Sequence, residues 1–328
     1  VTGPIRIPGA VAGRVSDVLA GRVAPVVPRD AATVMLLRQA GAGTARAGAR
    51  SPGQAASPGG AAADRARSPG QAASPGGAAA DRARNPGQAG SPGGVEVYML
   101  RRKPSMAFAP GAFVFPGGSV DPRDADADIA WAGPRPQEWG RIFDAPAELA
   151  RALVCAAVRE TFEESGVLLA GPAEDAIVAD TTGADWEADR RALLDRSLSL
   201  ADLLRRRGLM LRADLLRPWS RWITPVVEPR RYDTRFFAAA LPDGQVTRDV
   251  GGEAAEVTWI RPQDAIASGR GGEILLWPPT AVTLAELAAC PDIAAAQAPR
   301  QVRPVLPAAH VAEGAVWLTL PADLDYPL

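Results

Sequence analysis

The chain has 328 residues, 47% of them hydrophobic, enough apolar side chains for one large or two ordinary domains with a real core. A formal net charge of −1 offers no basic field for nucleic acid. One histidine, His310, in a Pro/Ala-rich tail gives no basis for a His-based zinc site or a Ser-His-Asp triad.

No apolar run approaches a membrane span, and the first thirty residues lack a signal-peptide pattern. A cytoplasmic protein with no nucleic-acid and no membrane partner is therefore expected. Cys155 falls on the apolar face of a predicted helix, which suits a reduced, buried thiol better than a disulfide with Cys290.

In chain order, residues 1–29 are rich in Gly, Pro and Val without clear periodicity and read as an N-terminal arm. Residues 30–38, DAATVMLLR, are predicted to form the first strand. Between 40 and 94 the composition changes: RSPGQAASPGGAAADRA, residues 50–66, recurs unaltered from Arg67 and starts again at Arg84. Each 17-residue unit lacks a large apolar side chain and cannot stack into a solenoid core, so the repeat is expected to be a disordered insertion. A surface loop tolerates such length at about 0.6 kcal/mol per doubling.

Residues 95–101, VEVYMLR, suit a strand that pairs with 30–38 across this loop. Downstream, Phe115-Pro116-Gly117-Gly118 places glycines where backbone must approach a ligand closely. An Asp-rich segment follows, with Asp121, Asp124, Asp126 and Asp128; Asp121 or Asp124 could serve a second metal, or all four could be solvated turn caps.

Residues 148–166, ELARALVCAAVRETFEESG, form the most informative stretch. At about 100° per residue, Glu160, Glu163 and Glu164 share one sector of the helix, opposite Val154, Cys155, Val158 and Phe162. Glu160 and Glu164 repel across one turn unless a cation lies between them. A solvated acidic face with Arg159 paired to Glu163 is the plain alternative.

Beyond the helix, residues 185–207 carry helical leucine periodicity and end in Arg205-Arg206-Arg207-Gly208, ordinary helix C-terminal chemistry. Residues 219–225 and 230–241 read as two strands joined by a basic turn. There Arg230, Arg231 and Arg235 are candidate phosphate anchors, unless Asp233 neutralises one of them. Residues 253–260 enter a final strand, 262–268 and 279–290 are helices, and 316–320 could add an edge strand within the Ala/Pro-rich extension 291–328.

These motifs resemble the signature of the Nudix hydrolases: a glycine, a glutamate after five residues, and R-E-U-x-E-E-x-G-U after seven more. Gly118, Arg159-Glu160, Glu163-Glu164, Gly166 and Val167 match it; Thr161 stands at the first U, Asp124 stands for the first glutamate, and the spacer runs from Ala125 to Val158. An insertion at this point resembles the coenzyme A diphosphatase-like subgroup, as do Arg102, Gly111 ahead of the F-P-G-G run, and the W-I-T-P and D-T-R-F-F strings. Ala107 replaces that subgroup's second arginine.

The resemblance implies an α/β fold: a Nudix-type α/β/α sandwich with a mixed sheet, over residues 30–290, interrupted by the 40–94 repeat and the 122–147 insertion. It further implies a diphosphatase using Mg²⁺ or Mn²⁺, held by Glu160, Glu163, Glu164 and the Gly118 backbone and suited by oxygen ligands. Arg159 would orient the glutamates, and Glu163 or Glu253, with Glu256 behind it, would act as base. Arg102, Gly111, Arg230, Arg231 and Arg235 would bind substrate.

The substrate would be a small-molecule nucleoside diphosphate derivative, coenzyme A or acyl-coenzyme A first, with NADH, ADP-ribose or nucleotide sugars behind. A catalytically inactive Nudix-fold binding module is the other class. Oligomeric state stays open, a homodimer included, and the Asp325–Leu328 end lacks the S-K-L peroxisomal address.

Overall fold

Uninterrupted apolar runs make strands that are buried on both faces, and a sheet of such strands needs helices on either side. The computed structural model describes residues 5–6, 12–41, 94–106, 109–126, 128–249 and 254–328. The expected repeat disorder and the positions Ala107 and Glu253 lie outside them.

Two short elements, β1 (Ile5–Arg6) and α1 (Ala12–Leu19), precede β2 (Arg29–Gln39) and β3 (Val95–Arg102). Then come β4 (Phe113–Val114), β5 (Gly117–Ser119), a 3-10 turn (Pro122–Ala125), β6 (Trp131–Ala132), α2 (Pro136–Phe143) and α3 (Ala147–Ser165). Past β7 (Ala170–Gly171) lie α4 (Ala184–Leu194), α5 (Leu200–Arg207), β8 (Met210–Arg212), β9 (Leu216–Ile223), β10 (Tyr232–Ala240) and β11 (Ala254–Ile260). The chain continues through α6 (Pro262–Arg270), α7 (Pro278–Ala288), α8 (Ile293–Ala296), β12 (Pro304–Val305), β13 (Ala308–Ala312) and β14 (Ala315–Thr319).

The central sheet runs β11-β3-β2-β10-β9-β12, with β4 on β3 and β5 on β2. It is mixed: β2 pairs β10 and β12 pairs β9 in parallel, while β2 with β3, β2 with β5, β3 with β11 and β9 with β10 pair antiparallel. Strand alternation sorts the core into two layers. Val34, Leu36, Tyr98, Leu100, Phe237 and Ala239 face α2, α3 and α5, whereas Met35, Leu37, Val97, Met99, Phe236 and Ala238 face α6 and α7. The result is the expected α/β/α sandwich with a mixed sheet.

Strand β3 pairs β2 as expected, but only over Leu37–Gln39, because β5 takes Ala31–Thr33 of β2. Four expectations need correction. The N-terminal arm contains α1, whose Val15 and Val18 pack with Val227 and Val316. The 185–207 stretch is two helices: Arg196 has a left-handed φ of +63°, and Ser199 caps the second helix by accepting from the Asp202 N–H at 3.1 Å.

Strand β11 is followed by three more strands. Of these, β14 lies in the middle of a separate three-stranded sheet, β1-β14-β13, and is not an edge.

The segment 122–147 is built into the core. Trp139 stacks on Phe143 at 5.9 Å, and both meet Phe237 edge-on at 5.6 and 5.2 Å. Arg221 pairs with Asp233 and donates to the Phe143 carbonyl, closing the C-terminus of α2.

Candidate active site

Helix α3 is encased: residues Leu153–Val158 are all fully buried, with Ala156 and Ala157 keeping side-chain bulk low. Its end is fixed by Gly166 at φ +76°, a left-handed cap that a side chain would strain. The last carbonyls are satisfied from outside the helix, with the buried Arg190 donating to the Glu163 carbonyl at 2.9 Å and Thr181 to that of Gly166 at 2.6 Å. These contacts hold the turn that presents the glutamates.

Strand β5 crosses that turn at contact distance. The Gly117 N–H donates to Glu164 Oε2 at 2.8 Å. A Cβ at Gly118 would stand 2.6 Å from the Glu160 Cδ, so only glycine lets this backbone reach the carboxylate.

Arg159 ties the cluster together. Its Nε and Nη2 donate to the two Asp124 carboxylate oxygens at 3.0 and 2.9 Å, and Nη2 also donates to the Ser119 carbonyl at 3.0 Å. Its Nη1 donates to Glu160 Oε1 at 2.8 Å and Glu163 Oε1 at 3.2 Å. Asp124 is therefore the clamp on Arg159 and not a free metal ligand. Asp121 is held by Arg123 at 2.9 Å, and this pairing lowers its pKa.

Burial pushes the Glu160 carboxyl up to about 7, with Glu163 adding to the shift and Arg159 opposing it. Burial also raises Glu163, again against Arg159. Desolvated like charges at such spacing attract a cation. The donor set of carboxylates and backbone oxygen fits a hard divalent ion. Among the described residues no group of three or more His, Cys, Asp or Glu side chains is already arranged around a metal position, and Arg159 engages one oxygen each of Glu160 and Glu163.

The glutamates line a cleft of about 950 Å³. Arg102 and Arg230 line it too, as do Trp222, Phe236, Trp277 and Pro278. Gly111, at φ +73°, turns the chain back after Arg102 and donates to its carbonyl at 3.1 Å.

Two expected anchors are not brought to the cleft. On β10 the residues Tyr232, Thr234 and Phe236 line it, so alternation turns Arg235 to the opposite face, where it pairs with Asp30 and Asp233. Buried Arg231 instead donates to the Thr224 and Val26 carbonyls. Glu256 is exposed on β11. Sequence reasoning missed Arg123, Arg196 and Glu228 on the cleft wall. The Asp195, Ser197 and Ser199 turn chemistry was the available signal for the first-missed helix break at Arg196.

No described helix is long and apolar enough to cross a membrane. Cys155 is buried and free, its thiol pushed up by burial.

The chain matches the family described as the NUDT19 Nudix domain over residues 135–287. It is 28% identical over 229 residues to acyl-coenzyme A diphosphatase NUDT19 of Xenopus laevis, covering 58% of this chain and 59% of that protein. The protein of the same name from Gallus gallus is 30% identical over 234 residues, 58% of this chain and 61% of its own. This chain thus spans about three-fifths of the length of these relatives. Among solved structures, a Nudix hydrolase from Alicyclobacillus acidocaldarius superposes with a TM-score of 0.58 at 26% identity, covering 84% of this chain and 98% of that one. With the glycine loop, the acidic helix and the sandwich in place, the chain is similar to the Nudix hydrolases and, among them, to the coenzyme A diphosphatase-like subgroup.

Proposed function

We propose that this chain is a metal-dependent diphosphatase that hydrolyses a nucleoside diphosphate linked to another group, with coenzyme A or acyl-coenzyme A as substrate. The observation that carries this reading is the meeting of Glu160, Glu163 and Glu164 with Gly117 and Gly118 at the wall of a 950 Å³ cleft. Glu160, Glu163, Glu164 and the Gly118 backbone would hold Mg²⁺ or Mn²⁺. When bound, the ion neutralises the diphosphate and lowers the pKa of a coordinated water.

The chain's own residues supply the rest. Arg159 keeps the carboxylates aligned and takes no part in the bond change. Water forms a bond to one phosphorus, the bridging P–O bond breaks, and the water's proton passes to Glu163 or Glu253 as base. Arg102 and Arg230 suit phosphate oxygens, and the apolar wall of Trp222, Phe236 and Trp277 suits a pantetheine or acyl arm. The homologues named acyl-coenzyme A diphosphatase support the same substrate class.

The test is product identification after incubation with Mg²⁺ or Mn²⁺ and a panel of coenzyme A, acyl-coenzyme A, NADH, ADP-ribose and a nucleotide sugar. Release of 3′,5′-ADP and 4′-phosphopantetheine from coenzyme A is expected. Cleavage of another member alone would keep the hydrolase and move the substrate. Metal binding without any turnover would make the chain a binding module.

A further inference from the structure

The break between α4 and α5 carries an arginine that lies outside every motif of the site. Arg196 adopts φ +63°, a conformation that any residue with a Cβ resists and glycine does not. The surroundings hold it there. Its N–H donates to the Leu193 carbonyl at 2.9 Å, and its own carbonyl accepts from Arg123 Nη1 at 3.0 Å. Arg123 is in turn fixed on Asp121 through Nε at 3.0 Å and Nη2 at 2.9 Å.

This bracket joins the loop after β5 to the α4–α5 linker, and Arg196, Arg123 and Asp121 line the same cleft as Glu160 and Glu163.

The two guanidiniums Arg159 and Arg196, both on the cleft wall, differ in what they have left to give. Arg159 is spent on Asp124, Ser119, Glu160 and Glu163. Arg196 is exposed, and among the described residues its side chain has neither an ion-pair nor a hydrogen-bond partner. A polyanion entering a wall of carboxylates needs cations on the side that a metal does not cover, and a guanidinium fork matches phosphate oxygens.

We infer that Arg196 is a diphosphate clamp, binding phosphate oxygens turned away from the α3 glutamates; the inference rests on reading the cleft as a diphosphate site. The backbone conformation and the Arg123 contact then hold the Arg196 position on the cleft wall.

The test compares Arg196→Gly, which removes both charge and backbone strain, with Arg196→Gln, which removes the charge alone. Arg191→Ala is the control; its side chain is 72% exposed and pairs with Glu187 on the outer face of α4. Turnover of coenzyme A with Mg²⁺ and calorimetric titration of inorganic pyrophosphate with Mg²⁺ are both read.

Both Arg196 variants should lose on the order of 100-fold in kcat/KM and bind pyrophosphate at least about tenfold more weakly. Tm should be unchanged or higher in Arg196→Gly, and Arg191→Ala should match the wild type. Wild-type turnover and pyrophosphate affinity in the Arg196 variants would overturn the clamp. If the wild type hydrolyses no substrate, the proposed function fails and the titration decides alone: weaker binding in the variants supports the clamp, while equal binding, or none in the wild type, overturns it.

Discussion

Asp124 is 2% exposed, and its carboxylate is compensated by a guanidinium that also reaches Glu160, Glu163 and the Ser119 carbonyl. Removing Arg159 leaves a buried charge without its partner. Arg159→Ala should therefore lower stability by about 3–5 kcal/mol in a urea titration, with Arg159→Lys recovering only part because an ammonium cannot match the two Asp124 oxygens. A wild-type midpoint for Arg159→Ala would refute that role. Glu160 gives a pH signature: its carboxyl titrates at about 7 when folded against 4.5 when free. The folded state then keeps a proton that the unfolded state has released, so this group's contribution to stability falls as pH rises through that window. In metal-free protein, wild type should lose stability relative to Glu160→Gln between pH 5 and 7, by at most about 3 kcal/mol, and saturating Mg²⁺ should abolish the difference in slope. A relative gain over that range would contradict the burial argument. The convergence of the three glutamates was legible because helical spacing alone places the acids together, and Gly118 was singled out by the Phe115–Gly118 run. The fate of Asp124 was not, since its partner lies 35 positions away in the chain and only the fold joins them.

Elements with strong periodicity were read with little error. The acidic helix was expected over 148–166 and spans Ala147–Ser165, because its apolar face, Gly166 cap and flanking Pro146 all mark the same limits. Stretches whose pattern is made by tertiary packing were read poorly. The leucines of 185–207 suggest one helix, yet the Asp195–Ser199 turn breaks it, and Val15 and Val18 of α1 are buried against Val227 and Val316, which are remote in the chain. The 122–147 insertion was equally opaque, since nothing local says that Trp139 packs on Phe237. That contact makes the insertion a core element, so Trp139→Ala should cost about 3–5 kcal/mol and reduce turnover by shifting α2 against α3. A loss under 1 kcal/mol would mean that the insertion is dispensable.

At the scale of the whole molecule, the hairpin between β2 and β3 is closed before residue 42 and after residue 93. The Ala40 N–H donates to the Gly94 carbonyl at 2.9 Å, and Gln39 Nε2 donates to the same oxygen at 2.8 Å. Replacing 42–93 by a short turn shortens the connection by about four doublings, a gain of at most about 2.5 kcal/mol. Unchanged or slightly higher Tm with unchanged turnover is expected; loss of turnover would give the repeat a part in catalysis. The sandwich itself was legible through the resemblance carried by the glycine run and the acidic helix, whereas the terminal sheet β1-β14-β13 was not, because its strands come from opposite ends of the chain. Catalysis is assigned to the acidic turn of α3, and the most direct measurement is coenzyme A hydrolysis against Mg²⁺ or Mn²⁺ concentration for wild type, Glu163→Gln and Glu164→Gln. Metal-dependent turnover that falls by at least about 100-fold in both variants, with Tm retained, is the predicted result. Turnover that persists in folded variants, or that does not respond to the metal, would contradict the assignment of this helix as the reacting centre.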